Sequence, residues 1–195
     1  MSMFQVIAAD PPWPFNDKLK MSEVKRGAEA QYSLMTMDDI IGLGPLVQAV
    51  ALPDSVLALW VPGSLLAQGL QTMAAWGFRQ TQVYTWVKTA KGYSPGDEPV
   101  PLGFGMGRLF RGCSEVALVG VRGSPYKALV NKSQRNVSLA YNQGHSIKPD
   151  NLQGSLDLMF SGPKLELFGR RKLPGWTVLG NQVTGNDIRD DLRGL

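Results

Sequence analysis

The chain alternates between short apolar runs and stretches that carry glycine, proline or charged residues. Six of the runs have the length and the β-branched or aromatic content of strands. The run at residues 6–9 contains no polar position, which is typical of a strand buried on both faces of a sheet. The predicted strands cover residues 6–9, 55–61, 78–88, 115–121, 164–168 and 176–179.

Apolar residues with helical spacing lie between these strands. Thr36 is a candidate N-cap for a helix with a long apolar face, made of Ile40, Leu43, Leu46, Val47 and Val50. Ser64 can cap a second helix, whose apolar positions are Leu65, Leu66, Leu70, Met73 and Ala74. The pattern also predicts a short helix that ends near Phe160 and one or two helical turns after Asn186. Strands that alternate with helices predict an α/β fold with a mostly parallel, doubly wound sheet.

Three segments show neither the strand periodicity nor the helix periodicity of apolar residues, and they are predicted to be surface loops. Residues 16–33 are polar and mixed in charge, and we expect a mobile loop that can close over a ligand. Residues 90–111 are rich in glycine and proline, which favours a flexible loop on the substrate side. Residues 122–148 carry five basic side chains and no acidic one. Charge alone leaves two interpretations open there, a solvated loop or a phosphate-facing surface.

Length and composition narrow the classes of protein. The 195 residues are enough for one α/β domain and few for two, so we predict a single domain over 1–195. The single cysteine, Cys113, excludes an internal disulfide and a cysteine-cluster metal site, and we predict no metal. No apolar run has membrane-spanning length and no signal segment opens the chain, so we expect a cytoplasmic protein. The net charge of +4 permits a polyanionic partner.

The first predicted strand ends in Asp10-Pro11-Pro12-Trp13. A carboxylate is thereby held at the carboxyl end of a buried strand, where open α/β sheets bind their ligands. The two prolines stiffen a loop that presents carbonyl acceptors, one carboxylate and an indole ring, which suits a flat ligand with an amino group. The other interpretation is an ordinary turn with Trp13 as a core anchor, and this stretch alone does not choose between the two.

Further blocks follow Asp10-Pro11-Pro12-Trp13 in a fixed order. They are Tyr32-Ser33-Leu34-Met35, Leu59-Trp60-Val61, Trp76-Gly77-Phe78, Trp86-Val87-Lys88, Glu115 with Leu118-Val119-Gly120-Val121-Arg122-Gly123, His145-Ser146-Ile147-Lys148-Pro149, Glu166-Leu167-Phe168-Gly169-Arg170, and Trp176 with Gly180-Asn181-Gln182. The ordered set resembles the S-adenosylmethionine-dependent adenine methyltransferases related to the catalytic subunit of the messenger-RNA adenosine methyltransferase. That family has many small bacterial and phage members.

The resemblance implies a class I methyltransferase fold, Rossmann-like, in permuted order with the catalytic half first. It implies catalytic roles for Asp10, Pro11, Pro12 and Trp13. Asp10 and the Pro11 carbonyl each accept a hydrogen from the exocyclic amine of adenine and so direct its lone pair at the sulfonium methyl. Trp13 stacks on the base.

The resemblance also implies S-adenosylmethionine as cofactor, bound by Asp10, Lys148, Phe168, Gly169, Arg170, Asn181 and Gln182. Asp187 is a further candidate, since Asn186-Asp187-Ile188-Arg189 resembles an adenine-binding segment of larger relatives. The sequence departs from that of the messenger-RNA enzyme at two places that are expected to contact the carboxylate group of the cofactor. Ser114 stands where the messenger-RNA enzyme has lysine, and Arg171-Lys172 stands where it has a His-Asn pair.

We expect a nucleic-acid substrate, DNA more than RNA, because small single-domain members of this kind are typical of phages and bacteria. The expected location is therefore the cytoplasm of a bacterial or phage-infected host cell. Candidate substrate-binding residues are Trp13, Tyr32, Lys88, Arg108, Arg111, Lys132, Arg135 and His145. Alternatives left open are RNA, the amino group of cytosine, and a catalytically inactive nucleic-acid-binding subunit. We also expect either a homodimer or a partner subunit. A dehydrogenase is remote because a complete glycine fingerprint is missing.

Overall fold

The computed structural model describes residues 3–14, 35–105, 109–144 and 147–195. Its centre is a seven-stranded sheet with the order β5-β3-β4-β2-β1-β6-β7. The strands are β1 (Phe4–Ala9), β2 (Ala51–Val61), β3 (Arg79–Thr89), β4 (Ser114–Arg122), β5 (Val137–Tyr141), β6 (Lys164–Leu167) and β7 (Thr177–Leu179).

Strand direction brings most strand ends to one edge of the sheet. β1 pairs in parallel with β2 and β6, β3 with β5, and β6 with β7, whereas β4 runs antiparallel between β2 and β3. The carboxyl ends of six strands and the amino end of β4 therefore share an edge, which we call the carboxyl edge. The sheet confirms the α/β, mostly parallel, Rossmann-like fold predicted from the sequence.

The helices pack on both faces of the sheet. They are α1 (Met37–Ile41), α2 (Gly44–Val50), α3 (Leu66–Ala75), α4 (Asn151–Met159), α5 (Asn181–Thr184) and α6 (Ile188–Arg193), with 3-10 turns at Gly63–Leu65 and Pro125–Ala128. One face is covered by α1, α2, α3 and α6, and its core includes Ile7, Leu59, Leu165, Ile40, Val47, Met73 and Ile188. The other face is covered by α4, with Val6, Ala58, Trp60, Leu152 and Leu156 in its core. Apolar burial on both sides explains why residues 6–9 of β1 and the second half of β2 are continuous apolar runs.

Two helix predictions need correction. Thr36 caps α1 as expected, since its hydroxyl accepts from the Asp39 N–H at 3.1 Å, but the single predicted helix is two helices separated at Gly42 and Leu43. Gly44 begins α2 against α3, where a Cβ atom would collide with the Ala75 carbonyl oxygen. Ser64 as an N-cap is wrong, because it lies inside the 3-10 turn and makes no capping bond to α3.

The buried face of α3 also differs from the predicted one. Leu66 and Leu70 are 41 % and 46 % exposed, whereas Gly69, Thr72 and Met73 face the core. Gly69 allows this approach, because a Cβ atom there would lie only 2.6 Å from Cγ2 of Val61. Close backbone packing at a glycine thus decides which face of the helix is inside.

β5 was missed by the sequence analysis because it lies within the basic segment 122–148. It is an edge strand that pairs in parallel with β3, and its alternate residues Val137, Leu139 and Tyr141 are partly exposed. A strand with so little buried surface has no continuous apolar run to reveal it. Within the described ranges, no helix is long and apolar enough to cross a membrane.

Candidate active site

Asp10 is the first residue after β1 and stands at the carboxyl edge. Its N–H donates to the Leu167 carbonyl at 3.4 Å, which continues the β1–β6 pairing by one residue. The Pro11 carbonyl accepts from the Trp13 N–H at 2.8 Å, and the Pro12 carbonyl accepts from the Met35 N–H at 3.1 Å. The turn therefore has a fixed shape, and the Pro11 oxygen keeps one lone pair for a further donor.

Trp13 anchors this turn to the neighbouring strand. Only 2 % of the residue is exposed, and its indole N–H donates to the Trp60 carbonyl of β2 at 2.8 Å. The structure thus gives Trp13 the anchoring role that the sequence left open, while its edge still lines a cavity beside Asp10. Stacking of Trp13 on a base stays a prediction.

We predict that Trp13→Phe lowers stability by about 1–2 kcal/mol, because the buried Trp60 carbonyl loses its donor. Displacement of the Asp10 turn should also lower activity about tenfold. Chemical denaturation and initial rates measure the two effects. Trp176→Phe is the matched control, since it removes the indole bond to Asp157 outside the cavities described below. Full activity in Trp13→Phe would show that an aromatic face alone is required.

A chain of alternating charges crosses the carboxyl edge. Lys148 Nζ lies 2.9 Å from Oδ2 of Asp10 and 3.2 Å from Oε2 of Glu115. Lys88 Nζ, near the end of β3, lies 2.6 Å from Oε1 of Glu115, near the start of β4. The Lys148 ammonium also stands 5.5 Å from the centre of the Trp60 ring, within cation–π range.

Within this chain of charges, Lys148 and Glu115 stabilise each other's charged forms. Burial by itself would lower the pKa of Lys148, but the carboxylates of Asp10 and Glu115 outweigh it and hold that pKa above its ordinary value. Burial would likewise raise the pKa of Glu115, and the ammonium groups of Lys148 and Lys88 bring it below the ordinary value instead. At neutral pH a fixed cation therefore stands between two strand-end carboxyl groups.

Three cavities meet at Asp10. Cavity A has a volume of about 410 Å³ and is lined by Asp10, Lys148, Asp150, Gln153, Glu166, Phe168, Gly169, Arg170 and Gln182, among others. Cavity B, of about 120 Å³, is lined by Asp10, Met35, Phe168, Arg170, Asn181, Gln182 and Asp187, among others. Cavity C, of about 410 Å³, is lined by Asp10, Pro11, Trp13, Trp60, Leu66, Glu115 and Lys148, among others. Each of the eight predicted cofactor residues lines A or B, and Asp10 joins both to C.

The boundary of cavities A and B is formed by two close strand ends. Phe168 has a φ of +64°, rare for a bulky residue, and this bend carries the backbone from β6 into Gly169. The Gly169 N–H donates to the Leu179 carbonyl at 2.9 Å, and a Cβ atom at Gly180 would collide with the Gly169 carbonyl oxygen. The glycines therefore let two backbones and their polar groups approach a ligand closely.

Comparison with known proteins supplies the family. A family model described as MT-A70 matches residues 4–182, nearly the whole chain. The chain belongs to the MT-A70 family. This confirms the resemblance drawn from the sequence.

Individual relatives differ widely in length. A probable N(6)-adenosine-methyltransferase of Oryza sativa subsp. japonica is 30 % identical over 98 % of this chain, which spans only 24 % of that relative. The type II methyltransferase M.MunI of a Mycoplasma species is 27 % identical over 98 % of this chain and 82 % of the relative. The N6-adenosine-methyltransferase non-catalytic subunit MTB of Arabidopsis thaliana is 33 % identical over 62 % of the chain and 14 % of the relative.

Gln153 and Glu166 are among the polar residues of cavity A in this MT-A70 chain that were not predicted as site residues. Gln153 of α4 donates from Nε2 to Oε1 of Glu166 in β6 at 3.2 Å. Burial raises the pKa of Glu166 to about 7, although the bond from Gln153 and the nearby Arg171 act against this rise. Neither residue has a local signal, because Glu166 alternates with Leu165 and Leu167 as an ordinary polar strand residue would, and the cavity that Gln153 lines forms only in the fold.

The predicted substrate residues are scattered. Lys88 belongs to the charge chain, and the Arg111 guanidinium lies 5.0 Å from the centre of the Phe104 ring. Lys132 and Arg135 line a separate cavity of about 530 Å³, built on the start of β3 and the end of β4, away from Asp10. Tyr32, Arg108 and His145, and the whole of the predicted loop 16–33, lie outside the described residues. Among described residues, no cluster of three His, Cys, Asp or Glu suits a metal ion.

Proposed function

We propose that this MT-A70 chain transfers a methyl group from S-adenosylmethionine to the N6 amine of adenine in nucleic acid, with DNA as the favoured substrate. The observation that carries the proposal is the position of Asp10, which joins two cavities with a cofactor-like lining to a third cavity on the other side. A carboxylate so placed faces both a methyl donor and a methyl acceptor.

The lining of cavities A and B suits the parts of S-adenosylmethionine. Asn181, Gln182 and Asp187 provide the amide and carboxylate groups that a ribose diol and an adenine edge require. The Lys148 ammonium provides a cation for the carboxylate of the methionine part. When bound, the cofactor would supply an electrophilic methyl group on its sulfonium. We assign the binding of the cofactor to these residues.

The acceptor amine would enter from cavity C. The Asp10 carboxylate and the free lone pair of the Pro11 carbonyl each accept one amine hydrogen, which fixes the nitrogen and directs its own lone pair toward cavity A. Lys148 holds Oδ2 of Asp10, so we assign Oδ1 to the amine. The methylated nitrogen is briefly cationic and loses its proton readily, so Asp10 acts by stabilising charge and a strong base is unnecessary.

The preference for DNA rests on how much of each relative's length this chain covers. The chain covers four-fifths of M.MunI, a type II methyltransferase, but only a quarter of the rice relative, whose name specifies adenosine. On duplex DNA, the target base must leave the stack to reach Asp10. RNA adenosine and the cytosine amino group are the alternative acceptors. We also propose that the protein is cytoplasmic. We further propose that it associates with a second copy of this chain or with a partner subunit.

A second candidate function is an inactive nucleic-acid-binding subunit, which the alignment with the non-catalytic subunit MTB favours. The intact Asp10-Pro11-Pro12-Trp13 turn favours catalysis instead. Nucleoside mass spectrometry after incubation with S-adenosylmethionine and duplex DNA, single-stranded DNA or RNA separates the two. We expect N6-methyladenine in a DNA sample. Transfer to RNA alone would replace the substrate, and cofactor binding without any transfer would favour the inactive subunit or a missing partner.

Asp187 tests the adenine end of the proposed site. It is the N-cap of α6, where Oδ1 accepts from the Arg189 N–H at 2.8 Å, so a variant must keep the cap. Ser and Asn both cap well, but only Asn reaches as far as Asp. We predict that both variants weaken binding of S-adenosylhomocysteine about tenfold, as for loss of one charged hydrogen bond, because Ser is too short and the single oxygen of Asn is used by the cap, which turns its NH₂ group toward the adenine amine. Calorimetry measures both, and equal affinity in both variants and wild type would remove this assignment.

A further inference from the structure

The floor of cavity A carries an unusual polar pair. Glu166 of β6 lies opposite Ala8 of β1 in the parallel register, and Val178 of β7 is its other neighbour. The small Ala8 side chain leaves room above the sheet at this position, and Glu166 and Ala8 both line the cavity. Gln153 reaches the same cavity from α4, on the face that this helix covers. The carboxyl group and the amide thus face a shared space beside Asp10.

The amide of Gln153 is only half satisfied. The residue is 6 % exposed, and its Nε2 donates to Glu166 Oε1 at 3.2 Å. Its Oε1 is buried and has no hydrogen-bond partner in the part of the chain that the structure describes. Buried side-chain oxygens normally have donors, so an unpartnered oxygen on a residue that lines a ligand-sized cavity points to a donor supplied by the ligand.

The charges around Glu166 come from each neighbouring element. Asp10 after β1 and Asp150 before α4 disfavour its ionised form, whereas Arg171 after β6 favours it. Arg171 is itself paired with Asp150, and Lys148 is held by Asp10 and Glu115, so both cations have acidic partners. Burial is the largest influence and raises the pKa of Glu166 to about 7. In the free protein a substantial fraction of Glu166 is therefore protonated at neutral pH.

We propose that Glu166 and Gln153 together bind the ammonium group of the amino-acid part of the cofactor, and that this ammonium group replaces a proton on Glu166. The proposal rests on the proposed function, since it deepens the assignment of cavity A. A primary ammonium has three N–H donors, which the Glu166 carboxylate and the free Gln153 oxygen accept. Lys148, which also lines the cavity, uses two of its three N–H donors on Asp10 and Glu115 and has the third for the ligand carboxylate. Both charges of the zwitterion then have a partner.

The proton balance gives the expected pH dependence. Protonated Glu166 and a cationic ligand become a carboxylate–ammonium pair, and one proton goes to solvent. With a pKa of about 7 in the free protein, only about one-tenth of Glu166 is ionised at pH 6. The affinity for S-adenosylhomocysteine should therefore fall about tenfold from pH 8 to pH 6. Calorimetry at pH 6.5 in two buffers of different ionisation enthalpy should detect release of about three-quarters of a proton.

Two comparisons isolate the ammonium group. Glu166→Gln should bind S-adenosylhomocysteine with the weak affinity of the wild type at pH 6 and with little change up to pH 8. Glu98→Gln, an exposed acid elsewhere, is the matched control and should keep the wild-type profile. 5′-Methylthioadenosine lacks the amino-acid part, so its binding to the wild type should be independent of pH and should release no proton.

The outcomes separate this inference from the proposed function. If neither ligand binds the wild type, the proposed function fails. If S-adenosylhomocysteine binds with equal affinity at pH 6 and 8 and releases no proton, the inference is overturned while the proposed function stands. Should Glu166→Gln fail to fold by circular dichroism, proton release by the wild type and the affinity of Gln153→Leu decide the question. An unchanged affinity in Gln153→Leu would remove Gln153 from the pair.

Discussion

Asp10→Asn is expected to reduce methyl transfer about 1,000-fold, at the upper end of losses seen when one group that stabilises transition-state charge is removed. Asn has the shape of Asp but no negative charge, so it cannot stabilise the cationic nitrogen that forms on methylation. It can also present its NH₂ group to the amine in place of an acceptor oxygen. Lys148 would keep Glu115 as its partner, so we expect the fold to persist.

The measurement is the initial rate of N6-methyladenine formation, with S-adenosylhomocysteine affinity measured in parallel. Asp190→Asn is the matched control, because Asp190 is an exposed acid that pairs with Arg193 at 3.0 Å, away from the cavities. It should retain wild-type rates. A rate for Asp10→Asn within tenfold of the wild type would contradict the proposed placement of the acceptor amine.

The position of Asp10 was predictable because it depends on local signals. An apolar run identified β1, the prolines fixed its end, and the parallel sheet placed that end where ligands bind. The same logic located β6, β7 and the glycines that follow them. These features can be predicted from the periodicity of apolar residues and from the backbone preferences of proline and glycine, because both act over only a few residues.

Other parts of the site depend on contacts between distant segments. The indole of Trp13 finds the Trp60 carbonyl 47 positions away, and Lys148 reaches Asp10 across 138 positions. Gln153 enters cavity A only because α4 crosses the sheet there. Sequence spacing does not encode such distances, so it left the role of Trp13 open and missed Gln153 and Glu166 as site residues. Leu66 and Leu70 show the converse, because they have the helical spacing of core residues and yet lie on the exposed face of α3.

Lys148→Met is expected to lower methyl transfer about 100-fold. Lys148 stands between Asp10 and Glu115, and its side chain is 17 % exposed, so the ion pairs are partly shielded from water. Removal of the ammonium leaves two carboxylates without their shared cation. For a partly buried pair, this change lowers the stability of the ion-pair arrangement by about 2–3 kcal/mol. The carboxylates would then separate or take up a proton, and Asp10 would no longer be held in place.

A pH profile distinguishes this explanation from a general loss of structure. Like charges raise the pKa of neighbouring acids, so the activity of Lys148→Met should rise toward higher pH than that of the wild type. Lys148→Arg keeps the charge and should recover most of the rate. Adding Glu115→Gln to Lys148→Met removes one of the two opposed carboxylates and should restore part of the lost activity. If Lys148→Met keeps more than a third of the wild-type rate, the ammonium is not what positions Asp10, and the turn bonds of Trp13 and Met35 are sufficient by themselves.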